Sequence, residues 1–443
     1  MTGLPVAVVG ASAAGLAAAE ALRRFGWRGP LTLIGAEPHL PYDRPPLSKQ
    51  LLHGAWAPEK LLLRTAEQLA PLDLDLRLGT RATGLDVAGR TLTLDGGERL
   101  GCAGVIIATG VAARTLPGAE GIAGVHTLRT LDDALALRGR LANGGTPGSG
   151  GVAAGGGARR LVIVGNGVLG CEAAAVAREL GHEVTLVGIE ATPMAAAVGT
   201  EVGELLAEEH RARGVRLLTG AVAGFETAPA DPAGADGPQV TAVRLADGSR
   251  LPADLVLPAI GSRPAVGWLD DPALDTTDGL RCDAYCAAAP GIYAAGDVAR
   301  WDHPVHGRPL RFEHRMNATE QGMAAARNLL AELAADAPAA GAVDAAPAQE
   351  RRPFAPVPYF WSDQYAVKIQ AYGLTAGADR VETTVLDRAE RRALALYGRD
   401  GSAVGVLAAG LPPRQVRALR AVVATPLPWK EARERIHAAT AAG

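Results

Sequence analysis

The chain has 443 residues and a formal net charge of −3, with 48% hydrophobic residues. That length predicts about three domains, and a near-neutral charge without a polybasic tract excludes a nucleic-acid or membrane-surface role. The longest apolar runs, such as Val105-Ile106-Ile107-Ala108, are strand-length and far short of the roughly 20 residues of a membrane span.

The first strand starts by Val6, which leaves no room for a signal peptide and predicts a cytoplasmic protein. Val6 to Val9 run into Gly10, Ser12 and Gly15, a G-x-S-x-x-G turn, and Leu16 to Phe25 continue as an alanine-rich helix. Leu31 to Ile34 form the next strand, which ends near Glu37. Strand, glycine turn, helix and a strand ending near an acid make the dinucleotide fingerprint. The glycines allow a tight turn, the small middle residues let backbone approach a pyrophosphate, and the helix N-terminus supplies positive dipole. A proline-stiffened loop, Pro38 to Lys49, follows and carries Arg44 and Lys49. By itself it reads as a rigid surface turn or as a phosphate or cofactor loop.

Next comes a predicted meander: Leu76 to Leu78, Ala82 to Val87 and Arg90 to Leu94. Val105 to Gly110 is a buried strand that brings in Ala108, Thr109 and Gly110, and Arg114 precedes the exit turn at Leu116-Pro117-Gly118. A Gly/Ala/Ser/Pro tract at 142–157 reads as a flexible insertion.

Leu161 to Gly170 then repeats the first motif as a full G-x-G-x-x-G, with Gly165, Gly167, Val168, Leu169 and Gly170 in the turn. Glu172 lies two residues into the helix, and Val184 to Val187 lead to Glu190. Two such motifs, about 155 residues apart, predict a chain that binds two dinucleotides. A carboxylate at the ribose accepts the 2′-hydroxyl and repels a 2′-phosphate, so where a pyridine nucleotide binds this turn Glu190 favours NADH, with NADPH left open. Ala191, Thr192 and Pro193 supply no arginine for that phosphate. By position alone, Glu172 is also an ordinary acid favoured by the helix dipole.

After a loose loop at 228–238, Asp254 to Ile260 reads as a strand on the return to the first domain, followed by Gly261. Gly291 to Asp297 is a strand ending in Gly296-Asp297, and Asn317 to Leu333 is a helix. An Ala/Pro-rich linker at 335–353 leads to alternating strands at 367–372, 392–397 and 404–408, a half-buried antiparallel sheet, and a basic helix at 413–423. The expected class is α/β: two Rossmann-like dinucleotide-binding domains plus a C-terminal α+β domain with an antiparallel sheet. The boundaries are 1–117 and 253–335 for the first nucleotide domain, 118–252 for the second and 354–443 for the last. Cys102, Cys171, Cys282 and Cys286 form no C-x-x-C and read as buried small hydrophobes, and no metal site is expected.

The motifs GASAAG, PYDRPPLSK, VIIATG, VGNGVLGCEAA, IYAAGDVA, EHRMNATEQG and YFWSDQY occur in this order. Together they resemble the FAD-dependent, NAD(P)H-linked ferredoxin reductases of the glutathione-reductase fold, the group that includes reductase components of aromatic-ring dioxygenases. PYDRPPLSK with FWSDQY carries the resemblance most specifically.

The resemblance implies FAD against Gly10, Ser12, Ala13, Ala14 and Gly15, with Glu37 on the adenosine ribose and the Ala82 backbone at the adenine. It puts Arg44 near the pyrophosphate, Lys49 near the isoalloxazine, Ala108, Thr109, Gly110 and Arg114 along the flavin pocket, Gly296 and Asp297 at the ribityl chain, and Trp361 at the flavin end. Glu172 matches the family carboxylate facing the nicotinamide and is expected to pair with Lys49; these two are the orienting, catalytic groups. Gly261 and Glu313 are further nicotinamide neighbours. Gly188 stands where many relatives have an acid, and Arg315 stands where several carry a tryptophan. Arg315 is read three ways: steadying anionic flavin, stacking on the ring, or docking an acidic partner.

The implied activity is hydride transfer from NADH to FAD, then single electrons to an iron–sulfur ferredoxin of the 2Fe-2S kind that serves a haem-thiolate or Rieske oxygenase. Residues 30–60 contain no cysteine, which removes the thiol relay of other enzymes of the fold. An NADH oxidase or a quinone or dye reductase is one rival, and a redox-switched binding protein like apoptosis-inducing factor is another. Arg300, Arg308, Arg311 and Arg315, or Arg414, Arg417 and Arg420, offer a basic docking surface or simply solvated faces. Monomer and homodimer both stay open.

Overall fold

The computed structural model describes residues 3–142, 157–230, 237–336 and 350–441. The tracts expected at 142–157, 228–238 and 335–353 fall largely outside them. Two compact units result: one within Met1–Asp43, Leu61–Ala112 and Arg263–Pro358, the other within Arg44–Lys60, Ala113–Ser262 and Tyr359–Gly443. No helix among the described residues is long and apolar enough to cross a membrane.

The first unit is built on β1 (Val6–Val9), which forms parallel ladders with β2 (Leu31–Gly35) on one side and Gly104–Ile107 on the other. Every residue of β1 is at most 3% exposed; a continuous apolar run suits a strand covered on both faces, and each buried valine contributes about 1.5–3 kcal/mol. Helix α1 (Ala13–Arg24) connects β1 to β2. Its alanines let the long helix Arg315–Ala335 come within backbone distance: a Cβ at Gly322 would lie 2.3 Å from the Ala14 carbonyl oxygen.

Two details differ from expectation. Asp75–Leu78 is not the first strand of the meander but pairs in parallel with β2 at the edge of the main sheet. The meander is Ala82–Asp86, Thr91–Leu94 and Arg99–Gly101. The Arg315–Ala335 helix also begins two residues earlier than read, which makes Arg315 its first residue.

The second unit repeats the design. Here β3 (Arg160–Val164) is flanked in parallel by β4 (Glu183–Gly188) and by Leu255–Pro258, with α2 (Val168–Glu179) as the crossover. Leu255–Pro258 therefore belongs to the second nucleotide sheet, not to a return into the first. The antiparallel sheet of Tyr359–Gln364, Val367–Gly373, Ser402–Ala409, Arg392–Arg399 and Arg380–Asp387 clusters in the same unit. It is tied there by the Tyr397 hydroxyl donating to the Val198 carbonyl (2.6 Å) and by Arg391 pairing with Glu208 (2.9 Å) and Glu209 (3.3 Å).

Candidate active site

The two glycine turns share one geometry. Gly10 and Gly165 take φ of 122° and 111°, a region open to glycine. A Cβ on Gly10 would lie 2.1 Å from the Ala108 carbonyl oxygen, and one on Gly165 would lie 2.2 Å from that of Ala259. A Cβ on Gly15 or Gly170 would meet the carbonyl oxygen of Gly10 or Gly165 at 1.8 or 2.0 Å. These contacts press each helix onto its turn. Neither Ser12 nor Gly167, the residues preceding α1 and α2, supplies a side-chain cap. The first-turn amides, which have no acceptor inside a helix, are left to meet an anion. Both turns therefore fit a dinucleotide pyrophosphate.

Around the first turn, Glu37 stands just past β2 and accepts the Tyr42 hydroxyl at 2.5 Å. Ala82 opens the meander opposite Leu94. Thr109 donates to the Ala265 carbonyl (2.9 Å), and the Gly110 carbonyl accepts the Ala265 amide (2.9 Å). The Gly296 amide donates to Gln321 (3.0 Å), and a Cβ there would stand 3.0 Å from that of Ala14, so the Gly-Asp turn carrying Asp297 sits against the head of α1. Arg311 donates to Glu313 (2.8 Å) and to the Asp297 carbonyl (3.2 Å). Arg315 pairs with Asp43 of the proline loop and donates to Thr319. Its guanidinium is thus committed to a carboxylate of its own unit.

In the second unit, Arg44 donates to the Arg129 carbonyl (2.8 Å), and Arg114 donates to the Ser262 carbonyl (2.8 Å) and bonds Gly261 through its amide (3.0 Å). Trp361 stacks on Tyr359 with ring centroids 5.8 Å apart. Gly167 precedes α2, Val168 and Leu169 start it, and Glu190 lies exposed beyond β4.

The chemistry converges on Glu172. It is 4% exposed, and three donors reach it: Lys49 Nζ at 2.6 Å, Ser48 Oγ at 2.6 Å and Ser362 Oγ at 2.8 Å. The lysine is held in turn by the Pro45 carbonyl at 3.2 Å. Behind Ser362 a line of buried groups continues. Gln364 Nε2 donates to Ser362 Oγ (3.2 Å) and Met194 Sδ (2.9 Å), so its Oε1 accepts from His210 Nε2 at 3.0 Å. That fixes the proton on His210 Nε2 and leaves Nδ1 to accept from Tyr365 at 3.4 Å. Burial lowers the His210 pKa and keeps the imidazole neutral. Every donor in this line points toward the carboxylate. A buried ion pair is tolerable only when such hydrogen bonds satisfy the remaining lone pairs.

The sequence reading named Lys49 and Glu172 but missed Ser48, Ser362, Gln364 and His210. Ser48 adjoins Lys49, and Ser362 and Gln364 lie inside FWSDQY, so the motifs held the signal. His210 had none.

All four cysteines are free and buried. Burial pushes the Cys102 and Cys286 thiols up to about 12 and raises those of Cys171 and Cys282 as well. None is a thiolate at neutral pH.

The profile of the pyridine nucleotide-disulphide oxidoreductase family matches residues 4–322. The chain belongs to this family. A second profile, reductase C-terminal, matches residues 359–435. A ferredoxin–NAD(P)(+) reductase of a Sphingomonas species is 33% identical over 405 residues, 90% of this chain and 88% of that one. The ferredoxin–NAD(+) reductase component of the p-cumate 2,3-dioxygenase system of Pseudomonas putida is 36% identical over 380 residues, 85% of this chain and 83% of that one. The covalent putidaredoxin reductase–putidaredoxin complex superposes with a TM-score of 0.83 at 30% identity, covering 100% of both chains. The family confirms the α/β fold and implies FAD and NAD(P)H. Although its name includes disulphides, all four cysteines of this chain are free.

Proposed function

We propose that this chain takes a hydride from NADH into bound FAD and passes single electrons to a 2Fe-2S ferredoxin that serves an oxygenase. The observation that carries this reading is the pair of matching glycine turns in a molecule whose four thiols are all buried. Two nucleotides meet the fold's requirements, and no sulfur is available to hold the electrons. FAD, when bound, supplies the conversion between a two-electron donor and a one-electron acceptor.

The chain's own residues bind and orient. The α1 turn from Gly10 to Gly15 holds the FAD pyrophosphate, with Glu37 for the ribose and Asp297 for the ribityl hydroxyls. The α2 turn from Gly165 to Gly170 holds the pyrophosphate of the pyridine nucleotide. Lys49 and Glu172 orient the nicotinamide end, with Ser48 and Ser362 fixing the carboxylate. No proton donor is needed for hydride transfer itself, so rigid placement is what this cluster contributes. Glu190 selects NADH by accepting the 2′-hydroxyl. Monomer and homodimer both accommodate the chemistry.

Anaerobic stopped-flow mixing tests the reading. NADH should bleach the flavin rapidly, and cytochrome c should then be reduced only when a 2Fe-2S ferredoxin is added. Oxygen uptake that is equally fast without ferredoxin would sink the proposal. A tenfold preference for NADPH would remove Glu190 from it.

A further inference from the structure

The NADH reading places its deciding carboxylate on an exposed segment beyond β4, where a side chain has no strand to hold it. We propose that Asn166, the second residue of G-N-G-V-L-G, is the positioning residue that sets the choice of pyridine nucleotide. The inference rests on the role of Glu190 given above.

Asn166 is 9% exposed and bonds three alternate residues of one segment. Its Nδ2 donates to the Glu190 carbonyl at 2.9 Å and the Thr192 carbonyl at 3.4 Å, and the Asn166 backbone carbonyl accepts the Met194 amide at 2.7 Å. Met194 is 2% exposed, and Gln364 Nε2 holds its sulfur at 2.9 Å, so the far end of the segment is fixed as well. Glu190 thus projects from backbone clamped at 190, 192 and 194.

The same carboxamide fills the space above Gly188, the last residue of β4. A Cβ built there would stand 2.1 Å from Asn166 Cγ and Oδ1, and 2.5 Å from Nδ2. Real Cβ atoms essentially never come within 3.0 Å of a non-bonded heavy atom, so a side chain at position 188 requires the Asn166 carboxamide to turn away and give up its bonds to residues 190 and 192. One side chain therefore stands where a strand-end side chain would go and holds the backbone that presents a carboxylate two residues later. The ligand feature it selects is a free 2′,3′-diol on the adenosine ribose over a 2′-phosphomonoester.

The test measures Kd for NAD+ and NADP+ by calorimetric titration of the oxidised holoenzyme, with the NADP+/NAD+ ratio as readout. The variants are Glu190→Gln, Asn166→Ala, Asn166→Ser, Gly188→Glu and the double variant Asn166→Gly/Gly188→Glu. Asn166→Ala should lower the ratio about fivefold, as expected for one ordinary hydrogen bond lost from the segment. Should it misfold, Asn166→Ser, whose hydroxyl is too short to reach the Glu190 carbonyl, decides in its place. Gly188→Glu alone should melt well below the parent, whereas the double variant should melt near Asn166→Ala and recover the ratio. A ratio that stays within twofold of the parent in the Asn166 variants overturns the inference. So does a Gly188→Glu protein as stable as the parent. If the parent itself binds NADP+ more tightly, or Glu190→Gln leaves the ratio unchanged, the reading of Glu190 fails first and takes this inference with it.

Discussion

Removing the lysine from the Glu172 cluster should destabilise the protein more than removing the carboxylate does. Glu172 is 4% exposed and Lys49 13%, so Lys49→Met strands the more deeply buried charge. Losing one partner of a buried pair costs about 3–5 kcal/mol. Ser48 and Ser362 still donate to the carboxylate, and charge-assisted bonds of this kind are worth about 1.5–3 kcal/mol each. The expected cost of Lys49→Met is therefore below that range, about 2–3 kcal/mol. In Glu172→Gln both serine hydroxyls can turn to the amide oxygen, and the ammonium keeps the Pro45 carbonyl and a path to water. That change should cost about 1–2 kcal/mol.

The double variant leaves no uncompensated charge and should cost no more than Glu172→Gln alone, a coupling of about 2 kcal/mol. Ser362→Ala, which removes one charge-assisted donor at its 2.8 Å contact, should cost about 1.5–3 kcal/mol. Urea unfolding of the flavin-loaded protein measures all four. The reasoning is refuted if Lys49→Met unfolds with the parent, or if the two single costs sum to the double cost within about 0.5 kcal/mol.

Gly15→Ala places a Cβ 1.8 Å from the Gly10 carbonyl oxygen and should yield protein without the visible flavin absorbance; a normal flavin band refutes the cradle. Acid should weaken the fold through His314, whose imidazole burial holds down at about 4 against an ordinary 6.5, with Glu313 opposing. The unfolded chain then binds the proton more readily, so stability is complete above pH 6.5 and is lost as the pH falls from 6.5 toward 4. His314→Asn should flatten the melting temperature across that range, and an unchanged slope would exclude His314 as the cause. Thiol reagents should label the native protein roughly a thousandfold more slowly than the unfolded chain, given thiols raised to about 12 or beyond. Rapid labelling of one cysteine would reopen a sulfur relay.

Much of this was legible because the motifs state local rules. Gly10 and Gly165 follow apolar strands and precede alanine-rich helices, so turn, helix and crossover can be read without a structure. The Lys49–Glu172 pair was legible only through resemblance, since 123 residues separate the two in sequence. What sequence could not reveal was membership. Leu255–Pro258 is apolar throughout and would suit either sheet; only its parallel register with Leu161–Val164 assigns it. Asp75–Leu78 looked like part of a meander because alternation marks a half-buried strand but not its neighbour. Arg315 was left with three roles because nothing in its own segment announces Asp43 as its partner. Asn166 went unnamed among the glycines of its turn, because nothing in the motif announces its bonds to the Glu190 and Thr192 carbonyls.

The serine that completes the coordination of Glu172 arrives 190 residues after it in the chain. During synthesis the second Rossmann sheet emerges long before that hydroxyl does, and it must wait with an incompletely satisfied carboxylate in its interior. The last eighty or so residues, from Tyr359 onward, therefore behave less like an appended module than like the closing piece of an interior begun far upstream. A chain that stops short of Tyr359 would keep every glycine of its second nucleotide turn and still lack a finished core around it.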